Sequence, residues 1–245
     1  MGGAMGFKSY IGTSGWNYEH WKGIFYPDRL PSSDWLGFYS SRFDTVEINY
    51  SFYRLPDRAV FEKWSAETPP DFIFAVKASR YLTHRKKLKD AKEPLERLFH
   101  SAEGLGSKLG PILYQLPPRW NVNADRLREF LSLLPSDFRH VMEFRDPSWL
   151  NEEVFDLLRR HSVGCCIMSA PDLPRIMQVT APFAYIRMHS GGCDTEGNYE
   201  EPQLEWWADQ VKEYLRDTDV YVYFNNDFKG FAVRNASRLI ELVSD

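Results

Sequence analysis

Pro111-Ile112-Leu113-Tyr114-Gln115-Leu116, then a stripe of Leu127, Phe130, Leu131 and Leu134, then His140-Val141-Met142-Glu143-Phe144-Arg145: this stretch decides the fold. It continues through Val154, Phe155, Leu157 and Leu158 to Gly164-Cys165-Cys166-Ile167-Met168-Ser169. The first, third and fifth pieces are short, apolar and rich in β-branched or aromatic residues, which is how buried strands read. The pieces between them repeat their apolar residues at helical spacing, and Asn123 and Asn151 stand where N-caps belong. Strand, helix, strand, helix, strand implies parallel pairing, because a parallel neighbour needs a crossover.

The same alternation extends outward. Further strands are expected at Tyr10–Gly15, Thr45–Phe52, Phe72–Ser79, Phe183–His189 and Val220–Asn225. Helical stripes pass through Trp35, Leu36 and Tyr39 after a Ser32 or Ser33 cap, and through Val60, Phe61 and Trp64 after Asp57. Others run through Leu95, Leu98, Phe99 and Ala102, through Leu204, Trp207, Val211 and Leu215, and through Leu239, Ile240 and Val243. One connection breaks the rule. The residues between Ser169 and Phe183 include Pro171, Pro174 and Pro182, and proline clashes inside a helix. The sixth connecting helix is therefore expected to be short or missing. Eight units of about 30 residues each match repeated βαβ crossovers, and they close most naturally into a parallel (β/α)8 TIM-like barrel, an α/β fold of about 250 residues. The rival open sheet is disfavoured, since Gly12-Thr13-Ser14-Gly15 after the first strand is no G-x-G-x-x-G.

Composition agrees with a single domain over residues 6–245. The chain has 245 residues, 43% apolar, 26% charged and 16% aromatic, which excludes a disordered tail, a collagen-like repeat and a coiled coil. Residues 1–5, opening Met1-Gly2-Gly3-Ala4, read as an expression remnant. No run approaches the ~20 apolar residues of a membrane span, no signal peptide is visible, and the cytoplasm is the expected location. Thirty Lys and Arg against 34 Asp and Glu give a net charge of −4, which speaks against a general DNA-coating protein. Three cysteines, two of them adjacent, are no disulfide framework. Cys165 and Cys166 read as small buried residues, and Cys193 as a loop thiol.

The functional signal is one of phase. Residues two apart on a strand point the same way. Glu47 and Asn49, Lys77 and Ser79, Glu143 and Arg145, and Arg187 and His189 are such pairs, each separated by an apolar residue. Gln115 and Asn225 occupy matching late positions on the fourth and eighth strands. In a parallel barrel these ends meet at one mouth, where the loops build the site. Lys77, Arg145 and Arg187 offer anion binding, with bidentate geometry from the arginines. Glu47 and Glu143 are the expected acid and base, and His189 the proton shuttle. Asn49, Gln115, Asn225 and Asn226 are expected to hold substrate. A structural ion pair between Glu143 and Arg187 is the competing reading.

Other features widen the choice. His189-Ser190-Gly191-Gly192 and Asn225-Asn226-Asp227-Phe228-Lys229-Gly230 lie where barrels often bind phosphate. Glu47, Glu143, His189 and Asp227 would supply oxygen and nitrogen donors to a divalent metal, although no metal-binding motif stands behind them. Trp16, Tyr18, Trp21, Tyr50, Phe52 and Tyr53 would suit a base or sugar ring. Arg80–Lys89 is the most basic run and would suit nucleic acid.

The motifs Gly12-Thr13-Ser14-Gly15-Trp16, Thr45-Val46-Glu47-Ile48-Asn49, Phe52-Tyr53-Arg54-Leu55-Pro56 and Phe74-Ala75-Val76-Lys77-Ala78 resemble the YecE-like family. So do Thr83-His84, Gln115-Leu116-Pro117-Pro118, Glu143-Phe144-Arg145 with Ser148-Trp149, and Phe224-Asn225-Asn226 with Asn235-Ala236. The match spans about Tyr10 to Val243. It implies a TIM-like barrel of unknown function. Asp227 stands where many relatives would carry His, and Met168-Ser169 is less acidic than the family pattern.

The expectation is thus an enzyme, of hydrolase or isomerase type, on a small polar or phosphorylated substrate. Nucleic-acid processing and a non-catalytic metabolite- or partner-binding barrel are the alternatives. The oligomeric state cannot be read from the sequence.

Overall fold

The computed structural model describes residues 6–171 and 175–244. The segment 1–5, read above as a remnant, and Pro174 lie outside the described residues. Eight strands form the barrel wall: β1 Ser9–Ser14, β2 Thr45–Ile48, β3 Ile73–Lys77, β4 Leu109–Gln115, β5 His140–Glu143, β6 Gly164–Ser169, β7 Phe183–Met188 and β8 Asp219–Phe224. They close in sequence order, every neighbouring pair parallel, with β8 returning to β1. The helices are α1 Trp35–Ser40, α2 Tyr50–Tyr53, α3 Arg58–Ala66, α4 Lys92–Ala102, α5 Ala124–Leu131, α6 Glu152–Arg160, α7 Glu201–Tyr214 and α8 Phe231–Ser244. Among the described residues no helix joins β6 to β7, as the proline spacing predicts. The Asn123 and Asn151 carboxamides accept from the backbone N–H of Arg126 and Val154, capping α5 and α6. Asp57 and the serines near α1 make no such side-chain cap.

The strand expected over Thr45–Phe52 is shorter. β2 ends at Ile48, and Tyr50–Tyr53 coils into one helical turn. The cause is Ser51. Its buried hydroxyl donates to the Lys77 carbonyl at 2.6 Å and lies 3.1 Å from the Ile48 carbonyl, folding the chain over the end of β3. A hydroxyl that satisfies a strand-end carbonyl competes with continued pairing.

Two cores result. Strand faces that point outward pack under the helices. Inward faces contribute Ala75, Leu113, Val141, Cys166, Met168, Phe183, Tyr185, Tyr221 and Tyr223. Tyr10 stacks on Tyr221 with ring centroids 4.8 Å apart, and Tyr185 lies 5.2 Å from Tyr223. These rings fill the lower barrel, so the interior is packed and not a pore. Between β1 and β2 the wall is bridged by Tyr39: its hydroxyl accepts from Thr13 N–H and donates to the Thr45 carbonyl. A Cβ on Gly12 would meet that carbonyl at 2.2 Å, which is why glycine stands there. No described helix is long and apolar enough to cross a membrane.

Candidate functional site

The phase argument holds at the upper layer of the barrel. Ser14, Lys77, Gln115 and Glu143 end their strands there, Glu47 and Arg187 stand one residue before the ends of β2 and β7, His189 and Asn225 follow β7 and β8 directly, and Arg145 lies two residues past β5. Glu47 and Glu143 are fully buried, Arg187 is 1% exposed, and Lys77 is 6% exposed.

Arg187 ties the carboxylates together. Nη1 donates to Glu143 Oε2 at 2.6 Å, and Nη2 donates to Glu47 Oε1 at 2.7 Å. Nη2 also lies 3.3 Å from Ser14 Oγ and from Asn225 Oδ1. The competing structural ion pair therefore forms. This corrects the expectation that Arg187 grips substrate in a bidentate manner: both terminal nitrogens are engaged and its Nε is buried without a partner. Each carboxylate has further donors. Tyr185 gives Glu47 Oε2 a hydrogen bond of 2.6 Å, and Ser14 donates to Oε1. Gln115 Nε2 reaches Glu143 Oε1 at 2.7 Å, where Arg145 Nε also donates. Gln115 thus holds a carboxylate. Asn49 Nδ2 donates to Ser14 Oγ at 2.9 Å, while its Oδ1 is buried and unpaired.

The charges fix the protonation states. Burial alone would raise the Glu143 pKa. Arg187, then Arg145, outweigh it and hold the carboxyl well below its ordinary value. Glu143 is therefore ionised at neutral pH; it is suited to act as a fixed anion and not as acid, and so strongly stabilised a carboxylate is also a weak base. His189 is lowered to about 3 by burial and by Arg187, so it is neutral. Its Nε2 lies 3.0 Å from Arg145 Nη2 and its Nδ1 lies 3.3 Å from Asn225 Nδ2, so donors face both ring nitrogens. Lys77 is lowered to about 8 by burial and by Arg187, with Glu143 and Glu47 opposing. Its ammonium lies 4.2 Å from the Phe52 ring centroid.

Three sequence expectations fail on geometry. Asn226 does not join the mouth. Its Nδ2 donates to the Gly197 carbonyl and to Asn235 Oδ1, both at 2.9 Å, and so locks the loop after β7 against α8. In the loop after β7 the amides expected to cradle phosphate are engaged internally: Gly191 N–H bonds the Gly197 carbonyl, Ser190 N–H bonds the Tyr199 hydroxyl, and Gly192 N–H bonds Ser190 Oγ. The proposed metal set of Glu47, Glu143, His189 and Asp227 does not gather. Arg187 occupies the space between the carboxylates, and no group of three metal-ligating side chains forms among the described residues. Asp227 lies outside, with its carboxylate 3.4 Å from His20 Nε2 and its carbonyl accepting from Trp21.

The sequence reading did not assign five contributors to this layer. Ser14 and Tyr185 follow the same two-residue phase as the chosen residues and were detectable by it. Phe52 beneath Lys77 depends on the unforeseen turn at Tyr50–Tyr53. His84 sits in a π-helical turn, Tyr81–Arg85, and packs edge-on to Phe52 at 5.1 Å. Burial, Arg80 and Lys77 lower its pKa. Directly after it, Lys87, Leu88 and Asp90 take positive φ values of 47°, 63° and 47°, costly for non-glycine residues and frequent near functional sites. Cys166 faces Glu143 from inside the barrel, and burial holds its thiol protonated.

Beside the mouth is a cavity of about 870 Å³, with Trp16, Tyr18, Tyr53 and Trp64 on its walls and Asn49 and Asn225 at its inner edge.

The family model described as "Protein of unknown function DUF72" matches residues 10–245. The UPF0759 protein YunF of Bacillus subtilis is 27% identical over 96% of this chain and 94% of its own length. A DUF72 family protein from Thermotoga maritima, solved by crystallography, is 31% identical, with a TM-score of 0.87 over 97% of this chain and all of its own. Another from Enterococcus faecalis is 18% identical, with a TM-score of 0.83 over 97% and 96%, and shares the fold.

Proposed function

The chain belongs to the DUF72 family, and for it we propose an enzyme, of isomerase or hydrolase type, that works on a small anionic substrate at the carboxyl-terminal mouth of the barrel. The observation that carries this reading is a charge imbalance. Two buried carboxylates, Glu47 and Glu143, face three cations, Lys77, Arg145 and Arg187, while His189 is neutral. Buried charge is costly unless compensated. The surplus positive charge is compensated when a substrate phosphate or carboxylate is bound.

The roles follow from what each group has left to offer. Arg187 positions the two carboxylates. Arg145 uses Nε on Glu143 and Nη2 on His189, which leaves Nη1 for an anion. Lys77 supplies the second cation. Glu143 faces the reacting atoms as a fixed anion that stabilises positive charge developing on the substrate, with Glu47 beside it. The adjoining aromatic cavity suits a ring carried by the substrate, of sugar or base type. The YecE-like resemblance of the motifs belongs to this same reading.

The alternatives have less behind them. In the basic run Lys86 pairs with Asp90 at 3.3 Å and Arg80, Arg85, Lys87 and Lys89 are exposed, which suits a solvated face as well as a phosphate backbone and does not draw on the buried charges of the mouth. A purely binding barrel does not need a sealed carboxylate held ionised by two arginines. The test is a turnover screen of small phosphorylated and carboxylated metabolites, with Glu143→Gln as control. We expect a substrate whose kcat falls at least about 100-fold in the variant while the circular dichroism spectrum is kept. No turnover by the wild type across the panel, or equal rates in the two proteins, would refute the reading.

A further inference from the structure

Resting on the anion-holding mouth proposed above, we propose that Lys77 is an amine nucleophile that forms a Schiff base with the carbonyl carbon of a small anionic aldehyde or ketone. The argument begins with a comparison of two buried lysines. Lys108 is 8% exposed, and its Nζ donates to the Thr68 carbonyl at 2.8 Å, to Thr68 Oγ1 at 3.1 Å and to the Ser65 carbonyl. That is how a lysine retained for structure is held: every proton of the ammonium has an oxygen. Lys77 is equally buried, yet among the described residues its Nζ makes no hydrogen bond and no ion pair. The carboxylates of the upper layer are engaged by Arg187, Arg145, Tyr185, Gln115 and Ser14. What Lys77 has instead is the face of Phe52.

The placement is also that of a reacting group. Lys77 is the last residue of β3, on the inward face, one layer above the apolar Ala75. Its backbone carbonyl is pinned by Ser51 at 2.6 Å, which holds α2 and Phe52 beneath the amine. Its Nζ is absent from the sealed, unpaired atoms of the interior, so it meets solvent at the mouth. The cationic surroundings and burial shift its titration to about 8. At pH 7 about a tenth of the side chain is then free amine, against a few parts in ten thousand for an ordinary lysine. A desolvated lysine beside other cations is a recognised way to make such a nucleophile.

The step balances without a cofactor. The free amine's lone pair forms a bond to the carbonyl carbon, and the C=O π pair moves to oxygen, which takes up a proton. The nitrogen of this carbinolamine loses its extra proton to water. Protonation of the hydroxyl then releases water as the nitrogen lone pair forms the C=N bond. Amine, carbonyl compound and one proton thus yield an iminium and water, with no oxidant or reductant. The iminium draws electrons from the neighbouring carbon, so the activity it supports is cleavage of a C–H or C–C bond next to the carbonyl. Arg145 would hold the substrate's anionic end.

The experiment is reductive trapping on the full chain at pH 8 with sodium cyanoborohydride. The probes are pyruvate, dihydroxyacetone phosphate and glyceraldehyde 3-phosphate, with acetone as the uncharged control, followed by intact mass and peptide mapping. We expect one adduct per chain, at Lys77, at least tenfold above any other lysine, suppressed by excess inorganic phosphate and absent in Lys77→Arg. Because the wild-type map identifies the site directly, the result does not depend on the variant folding. Adducts spread evenly over surface lysines, or none, would overturn the proposal. If phosphate still raises the melting temperature while no Lys77 adduct forms, the Schiff base is refuted and the anion-holding mouth survives. If phosphate has no effect either, both are refuted.

Discussion

Arg187 and His189 show how a single strand sets the character of the site. They lie two residues apart, so both face the mouth, but one is fully committed within the protein and the other is kept neutral. Arg187 joins Glu47 and Glu143 below the reach of solvent. His189 pays for that proximity with a pKa lowered to about 3. The consequence for stability has a definite sign. The unfolded chain binds a proton on His189 near pH 6.5 and the folded chain does not, so stability is present above 6.5 and is lost as pH falls toward 3. Between pH 6.5 and 5 we expect wild type to lose about 1.6 kcal/mol more than His189→Asn, measured by urea unfolding at each pH. Parallel losses in the two proteins would show that His189 is not held neutral. At this scale much of the site is legible in the sequence, because strand phase places Glu47, Lys77, Glu143 and Arg187 together. What phase cannot show is that a guanidinium between two carboxylates leaves none of its terminal nitrogens for substrate.

The short turn at Tyr50–Tyr53 matters more for function than its length suggests. Read residue by residue, Tyr50-Ser51-Phe52-Tyr53 has the aromatic content of a strand, and its propensity agrees with the expected continuation of β2. The side chain of Ser51 decides otherwise by donating to the Lys77 carbonyl. This tertiary bond to a strand 26 residues away in sequence is invisible to local pattern. Ser51→Ala should leave the Lys77 carbonyl short of a donor in a buried place and cost about 2 kcal/mol, read as a lower midpoint in urea. A change below a few tenths of a kcal/mol would mean that the turn is set by something else. The missing sixth helix is the opposite case. Prolines act through local sterics, and their effect is legible without the fold.

At the scale of the whole molecule, the barrel separates a packed aromatic floor from a polar, cationic mouth. Tyr10, Tyr185, Tyr221 and Tyr223 fill the lower interior, so ligands reach the buried charges only from the strand ends. The eightfold alternation, the closure and the mouth follow from periodicity and length. The loop conformations do not, because their amides choose partners across the fold: Asn226 and Asn235 bind the loop after β7, and the phosphate cradle expected there is closed. On the reading proposed here an anion would depend on Lys77 and Arg145, although the chain as a whole carries a net charge of −4. The most direct measurement is a calorimetric titration of inorganic phosphate into wild type and Arg145→Gln at low ionic strength. The account predicts saturable binding at one site in wild type, weakened at least tenfold in the variant and weakened by added salt. No binding to wild type, or equal affinity in both proteins, would contradict it.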